Sequence, residues 1–198
     1  MTAAPPPQRP LLLLDVDGPL NPYGAKPHRR PDGYRTHRLL TPRWVASERQ
    51  RLAAWGIPES RPRPLRVWLN PGHGPALLAL PFDLVWATTW EEEANAYVSP
   101  ALGLPELPFI AWPVPRRTPE VGVFWKTPEI VAWVAGRPFA WVDDEIGEAD
   151  RAWVRAHHPG PALLRRVDPK LGLLPEDFAA LRRFAEEQAA EPGVPACG

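Results

Sequence analysis

The chain of 198 residues is poor in cysteine, in lysine and in long apolar runs. Its single cysteine, Cys197, has no partner for an intramolecular disulfide. The longest aliphatic run, Leu11–Leu14, is far shorter than the ~20 apolar residues that cross a bilayer. Prolines at positions 5–7 interrupt the region where a secretory signal would need an apolar stretch. These shortages exclude a disulfide framework and a membrane span, and they predict a cytoplasmic protein.

Net charge is also missing, because 23 basic residues balance 23 acidic ones. Overall neutrality argues against nucleic acid as the main partner. A hydrophobic content of 44% is typical of a globular chain. The chain does have 29 prolines, most of which separate apolar runs, and 10 tryptophans. We predict one domain over 1–198, with tails at 1–10 and 191–198.

Alternation of short apolar runs with helical patterns indicates the fold class. The runs predict buried parallel strands at 11–16, 83–87, 108–112, 139–142 and 162–167. Helical patterns fall at 74–80, 90–97, 127–135, 148–157 and 175–190, with Thr127 as a candidate N-cap. We therefore predict an α/β core over 11–19 and 70–190, a doubly wound, Rossmann-like parallel sheet of about five strands. Its chemistry is expected at the carboxyl ends of the strands.

Residues 20–69 interrupt this alternation and predict a flap or very small cap. The segments 34–39 and 65–69 can pair as a β-hairpin, with a helix near 44–55 and a proline-rich connector at 58–64. Such an insertion after the first strand would lie over the strand ends. The segment is also rich in arginine, at Arg29, Arg30, Arg35, Arg38 and Arg43.

The first predicted strand runs into Asp15 and Asp17, followed by Gly18. Two carboxylates at the end of a buried strand are costly unless a cation neutralises them, so a metal ion is the economical explanation. Gly18 permits a sharp turn of the backbone over such a site. An ordinary strand followed by an Asp-Gly turn is the alternative.

Three later segments carry groups of the same chemistry. Thr88 and Thr89 end the second strand, although threonine is also an ordinary strand residue and N-cap. Lys126, one of only three lysines, lies at a helix start, where the dipole disfavours a cation unless an anion faces it. Asp143 and Asp144 end another strand and supply the hard oxygen ligands that Mg²⁺ prefers. An exposed lysine and a surface acidic turn are the alternatives for the last two segments.

Taken in order, these segments resemble the four motifs of the haloacid dehalogenase superfamily. The resemblance covers about residues 11–20 and 70–185. The matching residues are Asp15-x-Asp17-Gly, Thr88, Lys126 and Asp143-Asp144. It implies a Mg²⁺-dependent phosphatase that acts on a small phosphorylated substrate, with nucleotides among the candidates.

The resemblance also implies a role for each residue. Asp15 would attack phosphorus, and Asp17 would protonate the leaving group and then activate water. Thr88, or Thr89 beside it, would bind the phosphoryl oxygens, and Lys126 would neutralise their charge. Mg²⁺ would be held by Asp15, Asp17 through its carbonyl, Asp143 and Asp144, the last directly, through water, or by orienting Lys126. If so, Asp15 and Asp143 must converge, and Lys126 must reach Asp15 or Asp144.

Substrate contacts and rival functions are less specific. Thr89, Trp90, His73 and Asn21 are candidate substrate-binding residues. Pro19 stands where many members of the superfamily carry threonine. The alternatives to a phosphatase are a catalytically silent binding or scaffold protein, and a module that binds nucleotides or nucleic-acid ends with the arginine-rich flap. The ester cleaved and the oligomeric state stay open.

Overall fold

The computed structural model describes residues 8–57, 60–116 and 121–190. Residues 1–7 of the predicted tail 1–10, the predicted tail 191–198, and positions 58–59 of the proline-rich connector lie outside the described residues. Within them the elements are β1 Leu11–Leu14, β2 Arg35–Leu39, α1 Pro42–Ala54, β3 Leu65–Leu69, α2 His73–Leu78, β4 Asp83–Trp86, a π-helical turn Ala94–Val98, α3 Ser99–Leu102, α4 Lys126–Val134, β5 Phe139–Asp143, α5 Glu148–His157, β6 Ala162–Arg166 and α6 Pro175–Ala190.

Four parallel strands form the central sheet, in the order β4-β1-β5-β6. Alternate leucines of β1 enter different apolar clusters on the two faces of the sheet. Leu12 and Leu14 join residues of α2, α3 and α6, whereas Leu11 and Leu13 join residues of α4 and α5. Helices therefore cover both faces, which is why β1 has no polar position. The predicted α/β class with a parallel sheet is confirmed.

The predicted strand at 108–112 is wrong, so the sheet has four strands and not about five. Phe109 makes only an isolated parallel bridge to Trp86. Two backbone hydrogen bonds accompany it, from Trp86 N to Pro108 O and from Ile110 N to Trp86 O, both 2.9 Å. Pro108 and Pro113 have no N–H to donate, which limits how far this segment can continue a ladder.

Two predicted helix starts are also corrected. The helix predicted at 90–97 begins at residue 92, after turns at 89–91, and becomes π-helical from Ala94. Thr127 is not an N-cap, because α4 begins one residue earlier and no side chain caps it. Its hydroxyl instead donates to Asp150 Oδ1 at 2.6 Å.

The cap segment, residues 20–69, contains the predicted antiparallel pair and helix. Strand β2 pairs with β3 from Arg35↔Leu69 to Leu39↔Leu65. Helix α1 lies between them in sequence and is capped by Thr41, whose Oγ1 accepts from Trp44 N at 3.2 Å. Val67 and Leu69 of β3 belong to the apolar cluster of the sheet. The cap segment is thus packed on the core and not tethered loosely to it.

The helices in the described part of the chain are all too short or too polar to cross a membrane.

Candidate active site

Three carboxylates meet where the two central strands end. Asp15 directly follows β1, Asp143 is the last residue of β5, and Asp144 follows it. The strands are hydrogen-bonded neighbours, and Asp15 N continues the ladder by donating to Val142 O at 3.1 Å. All three side chains are buried, and one oxygen from each lies within 4.8 Å of the others. The convergence of Asp15 and Asp143 expected from the sequence is therefore present.

Lys126 supplies the cation for this cluster. Its Nζ donates to Asp15 Oδ2 and to Asp143 Oδ2, each at 2.9 Å, and its side chain is 2% exposed. Burial alone would lower the pKa of Lys126, but the charges of Asp15 and Asp143 outweigh burial and raise the pKa above its ordinary value. The ammonium group therefore stays charged at a helix start. Its second partner is Asp143, whereas the sequence offered Asp144 for that role.

Asp17 is held apart from the cluster by two donors. Its Oδ1 accepts from Asn21 Nδ2 at 2.7 Å, and its Oδ2 accepts from Trp90 Nε1 at 2.9 Å. Burial raises the pKa of Asp17, and the charge of Asp15 raises the pKa further against these two hydrogen bonds. A carboxyl group with a raised pKa can hold a proton for donation. Asn21 also accepts from Trp68 N at 3.0 Å, so it ties the cap segment to this acid.

Gly18 and Tyr23 fix the remaining carboxylate. Gly18 has φ +91°, and a Cβ there would lie 2.5 Å from Asp144 Oδ1. Only glycine leaves room for that carboxylate beside the turn. Tyr23 OH donates to Asp144 Oδ2 at 3.0 Å. Burial raises the pKa of Asp144, and the bond from Tyr23 lowers it by a smaller amount.

Asp150 holds the start of α4 in place. Its Oδ1 accepts from Phe124 N at 2.7 Å and from the Thr127 hydroxyl, and its Oδ2 accepts from Gly147 N at 2.7 Å. These bonds join the first turn of α5 to the residues on either side of Lys126. The carboxylate is buried, so the backbone positions of both helix starts are strongly coupled.

The other predicted contacts are placed differently. Thr89 and Trp90 line the cleft above the carboxylates, as does Asn21, whereas Thr88 is fully buried and does not. The Thr88 hydroxyl accepts from Trp90 N at 3.3 Å. His73 is not brought to the cleft, because it packs between the rings of Tyr34 and Phe178. Of the two threonines, Thr89 is the one that can reach a ligand.

The cap segment and the core form opposite walls of this cleft, which has a volume of about 570 Å³. The acids Asp15, Asp17 and Asp144 and the ammonium of Lys126 lie on the core side. The cap segment contributes Tyr23, Thr41, Arg43, Trp44, Ser47, Leu65 and Arg66 to the lining. The remaining lining residues, Glu93, Arg116, Phe124, Trp125 and Glu145, belong to the rest of the chain.

Arg43 fastens the two walls together. Its backbone N donates to Glu93 Oε1 and its Nη1 to Thr89 O, both at 2.9 Å. Its Nη2 pairs with Glu91. Because Arg43 is the second residue of α1, these contacts attach the start of the cap helix to the loop that follows β4. The position of Thr89 in the cleft therefore depends on the cap segment.

The three clustered carboxylates fit a hard divalent cation. Burial, and next the charge of Asp15, raise the pKa of Asp143 to about 7, with Lys126 opposing both. One ammonium therefore does not fully compensate three carboxyl groups in this space. Oxygen donors from Asp15, Asp143 and Asp144 are the type that Mg²⁺ prefers. The side chain of Asp17 is not in this group.

Comparisons of the chain with protein-family models, curated proteins and solved structures found no match. The candidate site is therefore argued from the geometry of its own residues.

Sequence reasoning missed Tyr23 and Asp150. Tyr23 is 121 residues from the carboxylate that it contacts, and nothing local to it signals that contact. Asp150 left a partial signal, since an acid in the first turn suits the start of a helix. That signal indicates capping and not the bond to Thr127 that fixes Lys126.

Proposed function

We propose that the protein is a Mg²⁺-dependent phosphohydrolase that works through an aspartyl-phosphate on Asp15, in a Rossmann-like core similar to that of the haloacid dehalogenase superfamily. The observation that carries the proposal is a pair of hydrogen bonds from Lys126 Nζ, 2.9 Å to Asp15 and 2.9 Å to Asp143, at the ends of two adjacent parallel strands. A buried carboxylate beside a fixed cation is suited to attack an electrophile whose own charge needs neutralising.

The reaction divides into two displacements. In the first, an oxygen of Asp15 attacks phosphorus, the bond from phosphorus to the ester oxygen breaks, and Asp17 gives its proton to the departing alcohol. In the second, water attacks the same phosphorus, Asp17 takes a proton from that water, and the carboxylate of Asp15 leaves. The raised pKa of Asp17 supports its service as the acid. Lys126 neutralises charge on Asp15 and the phosphoryl group in both steps.

Asp15, Asp143 and Asp144 would hold the metal ion. When bound, Mg²⁺ supplies charge neutralisation for the phosphoryl oxygens. The bond from Tyr23 keeps Asp144 oriented toward the cluster, and Gly18 leaves space for it.

A catalytically silent binding protein would be favoured if Asp17 or Lys126 pointed away from Asp15. Lys126 donates to Asp15. Asp17 is bonded to Asn21 and Trp90 and not to the cluster, but it lines the same cleft as Asp15, which supports a role as an acid toward a bound substrate.

Hydrolysis of a panel of phosphate esters with Mg²⁺ tests the proposal. We expect Asp15→Asn to lower kcat/KM by at least about 10³-fold, because the amide is a poor nucleophile. Asp32→Asn, at an exposed position of the cap segment, is the matched control and should behave as wild type. Acid-quenched wild-type protein should carry a phosphoryl group on the peptide that contains Asp15. If wild type hydrolyses no ester, including an aryl phosphate, faster than Asp15→Asn, the proposal fails.

A further inference from the structure

Two arginines in the cleft are held by aromatic rings and not by carboxylates. Arg66 Cζ lies 4.0 Å from the centroid of the Trp68 ring, and Arg116 Cζ lies 4.2 Å from that of Trp125. Across residues 8–57, 60–116 and 121–190, neither guanidinium forms an ion pair, whereas Arg43 pairs with Glu91. Stacking uses the face of a guanidinium and leaves the N–H donors on its edge available to an anion.

The antiparallel pair adds a second observation. Arg66 of β3 lies directly opposite Arg38 of β2 in the register. Like charges at directly opposed positions destabilise a strand pair, and an anion between them would relieve that cost. Arg30 extends the positive surface, since its Nη1 donates to Thr36 Oγ1 at 3.1 Å on the same strand as Arg38. Of these three arginines Arg66 lines the cleft, so the cleft wall at Arg66 adjoins further positive charge from Arg38.

The stacking of Arg66 on Trp68 and of Arg116 on Trp125 argues against a flat uncharged ring as the ligand beside these side chains. The guanidinium groups of Arg66 and Arg116 cover one face of each indole, and Trp68 is only 2% exposed. A ligand that enters beside these side chains meets N–H donors before it meets the rings. Guanidinium edges of this kind match the oxygens of a phosphate in a bidentate manner.

We infer that the cleft selects phosphate esters whose leaving group carries a second phosphate, held by Arg66 and Arg116, while the scissile phosphate lies at Asp15. This inference rests on the proposed function for the position of the scissile group. Lys126 is already shared between two carboxylates, so the arginines are the cations available to a further phosphate. The second phosphate can be a free monoester, as in a bisphosphate metabolite, or the diester of a phosphorylated oligonucleotide end.

Matched substrate pairs test the inference. Wild type should hydrolyse fructose 1,6-bisphosphate or adenosine 3′,5′-bisphosphate with a kcat/KM at least about tenfold above that for fructose 6-phosphate or adenosine 5′-monophosphate, respectively. In the double variant Arg66→Gln/Arg116→Gln, the ratio of the two kcat/KM values should be about tenfold lower than in wild type. Arg49→Gln, an exposed arginine of α1 outside the cleft, should keep it. Equal kcat/KM values within both pairs, or a preference unchanged in the double variant, would overturn the inference.

Calorimetric binding to Asp15→Asn separates this failure from failure of the proposed function. The variant should bind each bisphosphate at least about tenfold more tightly than its monophosphate partner, and the two arginine substitutions should remove the difference. This binding preference does not depend on turnover. If the wild-type protein hydrolyses no ester but the preference is present, the bisphosphate site is supported and only the proposed phosphatase activity fails. Compared with adenosine 5′-monophosphate, a 5′-phosphorylated dinucleotide then shows whether a diester is bound in the same way as a second monoester. Equal binding within both pairs contradicts it.

Discussion

The cap segment and the rest of the chain carry opposite charges. Residues 20–69 contain eleven lysines and arginines against three aspartates and glutamates, and the remaining residues contain twelve against twenty. The neutral total is therefore the sum of a positive insertion and a negative core. The two meet at the cleft, where the core presents Asp15 and Asp144 and the cap segment presents Arg43 and Arg66. Net charge averaged over a chain is a poor guide to what its clefts bind, because the local field acts on the ligand.

The two regions also differ in how their charges are solvated. In the core, Lys126 and Asp143 are almost fully buried and satisfy one another. In the cap segment, the side chain of Arg43 is 49% exposed, and water screens its pairing. Removing one member of a buried pair leaves an uncompensated charge, whereas removing a surface partner costs little stability. Substitutions in the core should therefore have larger effects than equivalent ones in the cap segment.

Among the substitutions that compare the two regions, Lys126→Met should produce the largest effect. The methionine leaves Asp15 and Asp143 without their shared cation in a buried space, which should lower the free energy of unfolding by about 3 kcal/mol. Loss of charge neutralisation should lower kcat/KM by about 10²–10³-fold. Urea unfolding and steady-state kinetics with an aryl phosphate measure the two effects.

Lys170→Met is the control for that variant, because Lys170 is exposed and its removal should change neither quantity. A Lys126→Met protein with the stability and activity of wild type would show that the buried cluster does not distinguish the core from the cap segment.

The sequence predicted the residues of the core cluster because their signals are local. Asp15 and Asp143 each end an apolar run, and such a run ends where the chain leaves a buried sheet. Lys126 stood out because lysine is scarce and a cation at a helix start needs an anion. Each signal lies within a few residues, and parallel topology alone brings the strand ends together.

The features that sequence reasoning missed depend on contacts distant in the chain. Residues 108–112 were predicted as a strand because they are apolar, but the segment makes a single bridge to Trp86, and Trp112 N donates to the side chain of Glu91 instead of extending the ladder. Thr127 reads as an N-cap, although its hydroxyl bonds 23 residues away to Asp150. The antiparallel pair of the cap segment was predicted from the segments 34–39 and 65–69, and the structure pairs Arg35–Leu39 with Leu65–Leu69. The sequence did not indicate that Arg66 of this pair lines the cleft, because the cleft forms between segments distant in the chain.

Arg43→Ala should have the next largest effect. Loss of the side-chain contacts to Thr89 and Glu91 removes the attachment of the start of α1 to the loop after β4, so the cap wall and Thr89 should be positioned less firmly against substrate. We expect KM to rise so that kcat/KM falls about tenfold, with stability lowered by less than about 1 kcal/mol because the pair is exposed. Steady-state kinetics and urea unfolding measure both.

Arg49→Ala on the same helix tests whether any loss of positive charge has this result. If Arg49→Ala raised KM as much as Arg43→Ala, the cap segment would act through its overall field and not through this attachment.

His73→Phe should have the smallest effect on activity, because His73 lies outside the cleft, and it probes the boundary between the two regions. His73 packs against Tyr34 of the cap segment and Phe178 of α6, and burial lowers its pKa to about 4 from an ordinary value of 6.5. Between these values the unfolded chain binds more protons than the folded one, so wild-type stability should fall as pH drops from 7 to 5. The phenyl ring does not titrate, so His73→Phe should lose about 2 kcal/mol less than wild type over that interval. Urea unfolding at the two pH values gives the difference, and His28→Phe, at an exposed position, should show the wild-type dependence.

Other groups, including Asp143, titrate alike in both proteins and cancel in the comparison. An identical pH dependence in His73→Phe and wild type would mean that the boundary admits enough water to solvate the imidazolium, and that the cap segment is packed less tightly on the core than its contacts indicate.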